Sequence, residues 1–282
     1  MIELGANRYG KAAIHLVRVH RDPAGHRISD VTVAIALEGD FERSYTDGDN
    51  SLVVATDTMK NTAYAFAKDR LDGALEDYGR ALAEHFVAFR QVDRATVSIR
   101  GHDWAAIDVA GAPARDAFVR GGEGTRVATV SATPGGTTVQ AGIEDLVLLK
   151  TTRSGFSGFP RDRYTTLPET DDRLMATRLS AIWRYGSPDL DADLTFAAIR
   201  ATLLEVFADH DSPSVQASIW IMGREILRRH EEVDEVRMVL PNLHHWLADL
   251  APFGLANDGE VYVSTTEPHG LIEATVRRGE DA

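Results

Sequence analysis

At 282 residues and 44% hydrophobic content, the chain is long enough for one large or two ordinary domains around a substantial core. Acidic residues outnumber basic ones 43 to 30, and the formal charge of -13 opposes binding to nucleic-acid phosphates or anionic membrane surfaces, so neither partner is expected. There is no cysteine, which excludes disulfides, thiolate metal sites and a thiol nucleophile.

The opening residues Met1-Ile2-Glu3-Leu4-Gly5 lack a basic segment followed by an apolar stretch, and no run of ~18 apolar residues occurs. The polar end Arg278-Gly279-Glu280-Asp281-Ala282 lacks the Ser-Lys-Leu address of peroxisomal proteins. A cytoplasmic location is the expectation. A first strand, about Lys11 to Arg21, meets the turn signal Asp22-Pro23-Ala24-Gly25, where proline presets φ. Val31, Val33, Ile35 and Leu37 then alternate with Thr32, Ala34, Ala36 and Glu38, the period of a strand with one buried face, so the pair reads as a hairpin.

The segment Asn50 to Thr62 predicts an apolar strand, Leu52-Val53-Val54-Ala55, running into Thr56-Asp57 at a helix start. Such a start carries unpartnered N–H groups and partial positive charge, attractive to a flat anionic or carbonyl-rich ligand. Thr and Asp are equally ordinary N-caps, and capping alone accounts for the pair. Met59, Thr62, Ala63 and Phe66 recur at helical spacing, as do Leu75, Tyr78, Leu82, Phe86 and Phe89. A strand from Val92 to Ile99 leads to His102-Asp103-Trp104, and Gly121-Gly122-Glu123-Gly124 reads as a loop.

The small, turn-forming residues Ser131 to Thr138 suggest a linker between halves, giving domains 1–135 and 136–282. In the second half Leu179, Ala181, Trp183 and Tyr185 predict a strand face. Helical stripes follow at Phe196, Ile199, Leu203 and Val206, and at Val215, Ile219, Met222 and Ile226. Ser212-Pro213 offers the last helix a cap and a first-turn proline. The strand Val233 to Leu240 leads to His244-His245-Trp246, repeating with one inserted residue the earlier strand and His-x-Trp corner, so the halves read as a duplication. Ile272, Ala274 and Val276, against Glu273, Thr275 and Arg277, predict the closing strand. Strand-strand-helix-helix-strand-strand, twice over, indicates an α+β protein with helices on one face of antiparallel sheet.

Tyr9-Gly10-Lys11, Thr56-Asp57 and Pro241-Asn242-Leu243-His244, with the stretches Lys150 to Phe159, Arg161 to Leu167, Glu169 to Arg173 and Ser212 to Ala217, fall in one order along nearly the whole chain. Together they resemble the urate oxidase (uricase) family. The resemblance implies two tandem tunnelling-fold (T-fold) domains per subunit, assembling into a β-barrel with a central tunnel, with pockets at subunit interfaces of a homotetramer. It implies urate contacts at Phe156, Arg173, Val215, Gln216 and Asn242, completed by Thr56 and Asp57. It further implies a catalytic relay of Lys11, Thr56 and His244, dioxygen as co-substrate, and no cofactor or metal.

These residue types suit that chemistry. Urate is flat, anionic and rimmed with carbonyl and N–H groups. A guanidinium at Arg173 can pair two acceptors, the Gln216 amide offers donors and an acceptor, and Phe156 a stacking platform. Backbone N–H groups of Val215 and Asp57 meet further acceptors, and Asn242 with Thr56 borders a small site for oxygen or water. Lys11 suits proton removal where its ammonium is partly desolvated, Thr56 can pass the proton on, and His244 can exchange it near neutral pH. A deprotonated, electron-rich substrate can itself reduce oxygen, and no Gly-x-Gly-x-x-Gly or His-Glu-x-x-His motif announces a flavin or metal. Adjacent His244 and His245 point to opposite strand faces and find no third ligand in the sequence. The alternatives are another T-fold enzyme acting on a pterin or purine, and a non-catalytic purine-binding protein.

Overall fold

The turn at Pro23-Ala24 forms because the Asp22 carboxylate accepts a hydrogen bond from the Ala24 N–H at 2.7 Å, closing a local ring that reverses the chain. It joins β1 (Tyr9–Asp22) to β2 (Gly25–Gly39), antiparallel, in a computed structural model that describes residues 2–279. The Glu280-Asp281-Ala282 end of the polar tail lies outside the described residues. By its contacts the chain divides into two units, one running to Gly142 with Arg184–Ala197, the other comprising Ile143–Trp183 and the residues from Ala198 onward.

In the first unit, α1 (Glu42–Thr46), α2 (Thr56–Arg70) and α3 (Leu75–Val87) follow β2, and β3 (Val92–Gly101) then pairs antiparallel with it. A separate hairpin, β4 (Trp104–Val109) with β5 (Ala112–Arg120), precedes β6 (Thr125–Thr133), which pairs antiparallel with β3. The strand order is β1-β2-β3-β6, with β7 (Gly136–Lys150) next. The segment expected as a linker, 131–138, is instead strand on both sides of the turn at Pro134-Gly135. Val31, Val33, Ile35 and Leu37 are buried, as the alternation requires, and α3 packs on β3 and β6 with Tyr78, Leu82 and Phe86 buried. Each such aliphatic side chain contributes roughly 1.5–3 kcal/mol relative to exposure. The Tyr78 hydroxyl donates to the Ala63 carbonyl at 2.8 Å, locking α3 to α2 through a polar group that burial would otherwise penalise. Phe89 lies past the end of α3, where its N–H still bonds the Phe86 carbonyl.

The second unit carries the order β7-β8-β9-β10, with β8 at Met175–Tyr185, β9 at Val233–Leu247 and β10 at Tyr262–Arg277. Between β8 and β9 come α4 (Ala192–Asp209) and α5 (Val215–Arg229). Every predicted inward residue of α5, namely Val215, Ile219, Met222 and Ile226, is buried, and α5 packs on β9 and β10. That packing is close because Gly223 carries no side chain: a Cβ there would lie 2.5 Å from Cγ2 of Val276. No helix among the described residues is long and apolar enough to cross a membrane.

Candidate functional site

The sequence-predicted site residues fall into two groups, one in each unit. In the first unit, Lys11 stands at a β-bulge: the β1–β2 register shifts between Lys11 and Ile14, and Ala13 adopts φ 54°. Bulges re-aim the side chains beside them. Gly10 is required because a Cβ at that position would sit 1.8 Å from the Ile35 carbonyl oxygen of the paired strand. Tyr9 completes the motif. Its hydroxyl accepts from the Val54 N–H at 2.8 Å and lies 3.2 Å from the Val54 carbonyl, while its ring meets Phe41 edge-on at 4.8 Å.

That Tyr9 clasp corrects the expectation of a strand at Leu52–Ala55. Ser51-Leu52 form a turn and Val53–Ala55 have no regular structure, because the Val54 backbone is satisfied by a phenol rather than by a neighbouring strand. Thr56 and Asp57 are the first two residues of α2, but neither caps it: the N-cap is Ala55, with no side-chain cap hydrogen bond. The capping explanation of the Thr-Asp pair therefore fails, and the donors of the first turn are left open. Asp57 is turned instead to its own helix, where Lys60 and Asn61 donate to its carboxylate. The Lys60 hydrogen bond and charge hold that carboxyl below its ordinary range, with a weaker contribution of the same sign from Lys11.

In the second unit, two backbone bridges deliver Phe156. The Gly155 N–H donates to Ser212 O at 2.8 Å and the Ser212 N–H to Arg153 O at 2.9 Å, while Phe156 and Thr170 exchange bonds of 2.8 and 3.1 Å. Gly155 leaves only 3.1 Å from its virtual Cβ to the Asp171 carbonyl, so the strip fits no larger residue without displacement. Ser212 serves this bridge and is not the helix cap. Ser214 caps α5, accepting from the Ala217 N–H at 3.1 Å, with Pro213 one position outside it. The cap engages the third helical residue and leaves the N–H groups of Val215 and Gln216 without an intrahelical acceptor.

Phe156, Arg173, Val215, Gln216, Asn242 and His244 all line one cavity of about 270 Å³ in this unit. Arg173 holds its guanidinium 5.4 Å from the Phe156 ring centroid, and its Nε is buried without a hydrogen-bond partner. Burial pushes the guanidinium below its ordinary pKa, the direction expected of a cation taken from water without an anion beside it. Among the described residues no carboxylate lines this cavity. Asn242 is reached through a second irregularity, the register shift of β10 between Thr265 and Gly270, with Asn242 facing Gly270. His244 stacks on Trp246 at 6.0 Å with the planes 12° apart. A larger hollow of about 720 Å³, which Phe156 also borders, is lined by Asp171, Asp172 and Asp211, and Arg153, its one cation among the described residues, is bonded to Asp211. Its charge repels an anion, whereas the smaller cavity attracts one.

Sequence reasoning did not assign Leu167, Leu174, Leu243, His245, Trp246 or Ile272 to the substrate pocket, yet they complete the wall of the smaller cavity. They are apolar or aromatic residues of types that populate any core, and only their position distinguishes them. It also missed a cluster in the first unit, His15, Asp30 and His102, whose members come from different parts of the sequence.

Comparison with known proteins bears on family and fold. A family model described as Uricase matches residues 7–131 and 139–273. The uricase of Arthrobacter globiformis is 45% identical over 98% of this chain and 90% of its own length, and that of Dictyostelium discoideum is 37% identical over 99% and 98%. The crystal structure of the A. globiformis uricase matches with a TM-score of 0.93 at 43% identity, covering 100% of this chain and 97% of that one. The α+β architecture of two tandem tunnelling-fold domains is thereby established.

Proposed function

Because the chain belongs to the uricase family, we propose that it oxidises urate with dioxygen and water to 5-hydroxyisourate and hydrogen peroxide, without metal or flavin, as a step of purine degradation. The observation that carries this reading is a cavity lined by no carboxylate among the described residues, around a half-buried guanidinium with an unpartnered Nε. Such a group has lost hydration and gained no anion, so a planar anion that accepts two hydrogen bonds restores both. Gln216 grips the opposite edge, Phe156 underlies the ring, the Val215 N–H meets a further acceptor, and Asn242 borders the oxygen site.

The first unit's Lys11, Thr56 and Asp57 complete the pocket from a neighbouring chain of a cytoplasmic homotetramer, whose paired units close into a barrel. Thr56 and Asp57 add donors from the uncapped start of α2. Lys11, through Thr56 and His244, removes a proton from bound urate and raises its electron density. Two electrons pass from the urate anion to dioxygen, water supplies the hydroxyl at the oxidised carbon, and peroxide leaves with the two protons released.

The test is stoichiometric. Chelator-treated, flavin-free protein should consume one oxygen and release one peroxide per urate lost. A requirement for added metal or flavin would overturn the cofactor-free mechanism. Tight binding of urate without turnover would reduce the protein to a purine binder.

A further inference from the structure

Three side chains of the first unit that take no part in the proposed reaction meet from separate segments. His15 stands on β1, Asp30 on β2 and His102 just beyond the end of β3, and one donor atom from each lies within 4.8 Å of the others. The Asp30 carboxyl is 4% exposed, and its two oxygens are used differently. Oδ2 accepts from Trp104 Nε1 at 2.9 Å and lies 3.4 Å from the Arg120 guanidinium, whereas Oδ1 faces only His15 Nε2, at 2.6 Å. Burial pushes this carboxyl up, but the hydrogen bonds from Trp104 and His15 outweigh it and keep the group ionised. His102 is held by one nitrogen, Nε2, to the Thr32 hydroxyl at 2.8 Å, and burial lowers its pKa, favouring the neutral imidazole.

We propose that His15, Asp30 and His102 form a binding site for a divalent transition-metal ion of the zinc type, with a fourth position open to water. Two imidazoles and a carboxylate are a common ligand set for such ions. Metal-bound donors at ~2.0–2.2 Å in tetrahedral geometry stand roughly 3.3–3.6 Å apart. The His15–Asp30 pair, at 2.6 Å, opens by about 1 Å to admit the ion, and the widest separation, 4.8 Å, closes by a little more. His15 has the freedom to make that adjustment, its side chain being 58% exposed. The other two ligands are each oriented by a hydrogen bond on one donor atom, Trp104 on Asp30 Oδ2 and Thr32 on His102 Nε2, and each has a second donor atom, Oδ1 or Nδ1, to offer the ion. The ion would join β1, β2 and the chain leaving β3. Arg120, near the outer carboxylate oxygen, weakens the site without blocking it.

The experiment titrates zinc chloride into the full, chelator-stripped protein by calorimetry, with cobalt(II) as a spectroscopic substitute. One ion per chain is expected, with the intense visible bands of tetrahedral cobalt and a rise in Tm on loading. His15→Ala, on an exposed side chain that leaves the fold intact, and His102→Ala should each weaken binding at least tenfold. Absence of saturable binding up to about 1 mM zinc overturns the proposal. So does uptake that survives both substitutions, or that is lost in His245→Ala instead.

Discussion

Arg173→Met separates a binding role from a structural one, because the two predict opposite changes in stability. The methionine fills much of the volume of the arginine stem but removes the buried Nε that has no partner. An unsatisfied buried donor costs about 1–3 kcal/mol, while the contact with Phe156 at 5.4 Å returns about 0.5–1 kcal/mol. The unliganded variant should therefore be as stable as the parent or up to about 2 kcal/mol more stable, a Tm change between zero and about +6 °C at this size. Binding should change the other way. Two charge-assisted hydrogen bonds at roughly 1.5–3 kcal/mol each amount to about 3–6 kcal/mol, or a loss of roughly 10²–10⁴ in kcat/KM. Thermal unfolding with and without a non-reactive urate analogue, beside steady-state kinetics, reads both quantities. A fall of several degrees in the free protein, or a kcat/KM within threefold of the parent, would refute the assignment of Arg173 to an anion site.

The remaining predictions concern pH and assembly. His210 donates from Nδ1 to the Val206 carbonyl at 2.7 Å, since a carbonyl only accepts, and in the neutral ring its Nε2 accepts from the Ser218 hydroxyl at 2.7 Å. Burial chiefly lowers its pKa, so the unfolded chain takes up a proton near pH 6.5 that the folded chain refuses. Stability is full above that value and declines as pH falls toward the folded pKa. His210→Gln should flatten that decline below pH 6.5 in urea unfolding measured across pH; parallel curves for parent and variant would sink the idea. Mixed assemblies test whether each pocket draws on two chains. Co-expressed Lys11→Met and Arg173→Met chains, each inactive alone, should regain roughly a quarter of the parent activity on random mixing, because that share of pockets receives both intact residues. No recovery in verified mixed oligomers would place both residues in one chain's pocket.

The hydrophobic patterns were legible wherever one periodicity persisted, as at Val31 to Leu37 and along α5, because burial on a single face leaves a repeating trace. Features set by contacts distant in sequence left none. The hairpin β4–β5 was missed because its turn puts Ala110 and Gly111 at φ 54° and 86°, a conformation usually announced by Asn-Gly or Asp-Gly. Here the Asp108 carboxylate steadies the turn by accepting from the Gly111 N–H at 2.7 Å, a bond no propensity rule detects. Leu52–Ala55 has strand composition but lacks a strand partner, and the Tyr9 hydroxyl takes that place. Ser212 and Ser214 both precede an apolar stripe, and only the hydrogen bonds show that the first joins a bridge while the second caps the helix.

The two groups of site residues also differ in kind. Both units use the start of a helix, but α2 is the first of the two longer helices of its unit and α5 is the second helix between β8 and β9. The start of α2 has no side-chain cap and brings Thr56, which the proposed relay pairs with Lys11 of β1. The start of α5 is capped through a single N–H, at Ala217, and brings an amide and, in its cavity, a guanidinium and an aromatic ring, the groups that grip a planar anion on the proposed reading. A repeated strand-strand-helix-helix-strand-strand plan would make the halves interchangeable if both used the same helix. Because they do not, two copies of the first unit would bring Lys11 and Thr56 without His244 or the grip, and two copies of the second the grip and His244 without the lysine and threonine. On the proposed chemistry a working pocket needs one of each, which is a physical reason for both units to be kept in one chain.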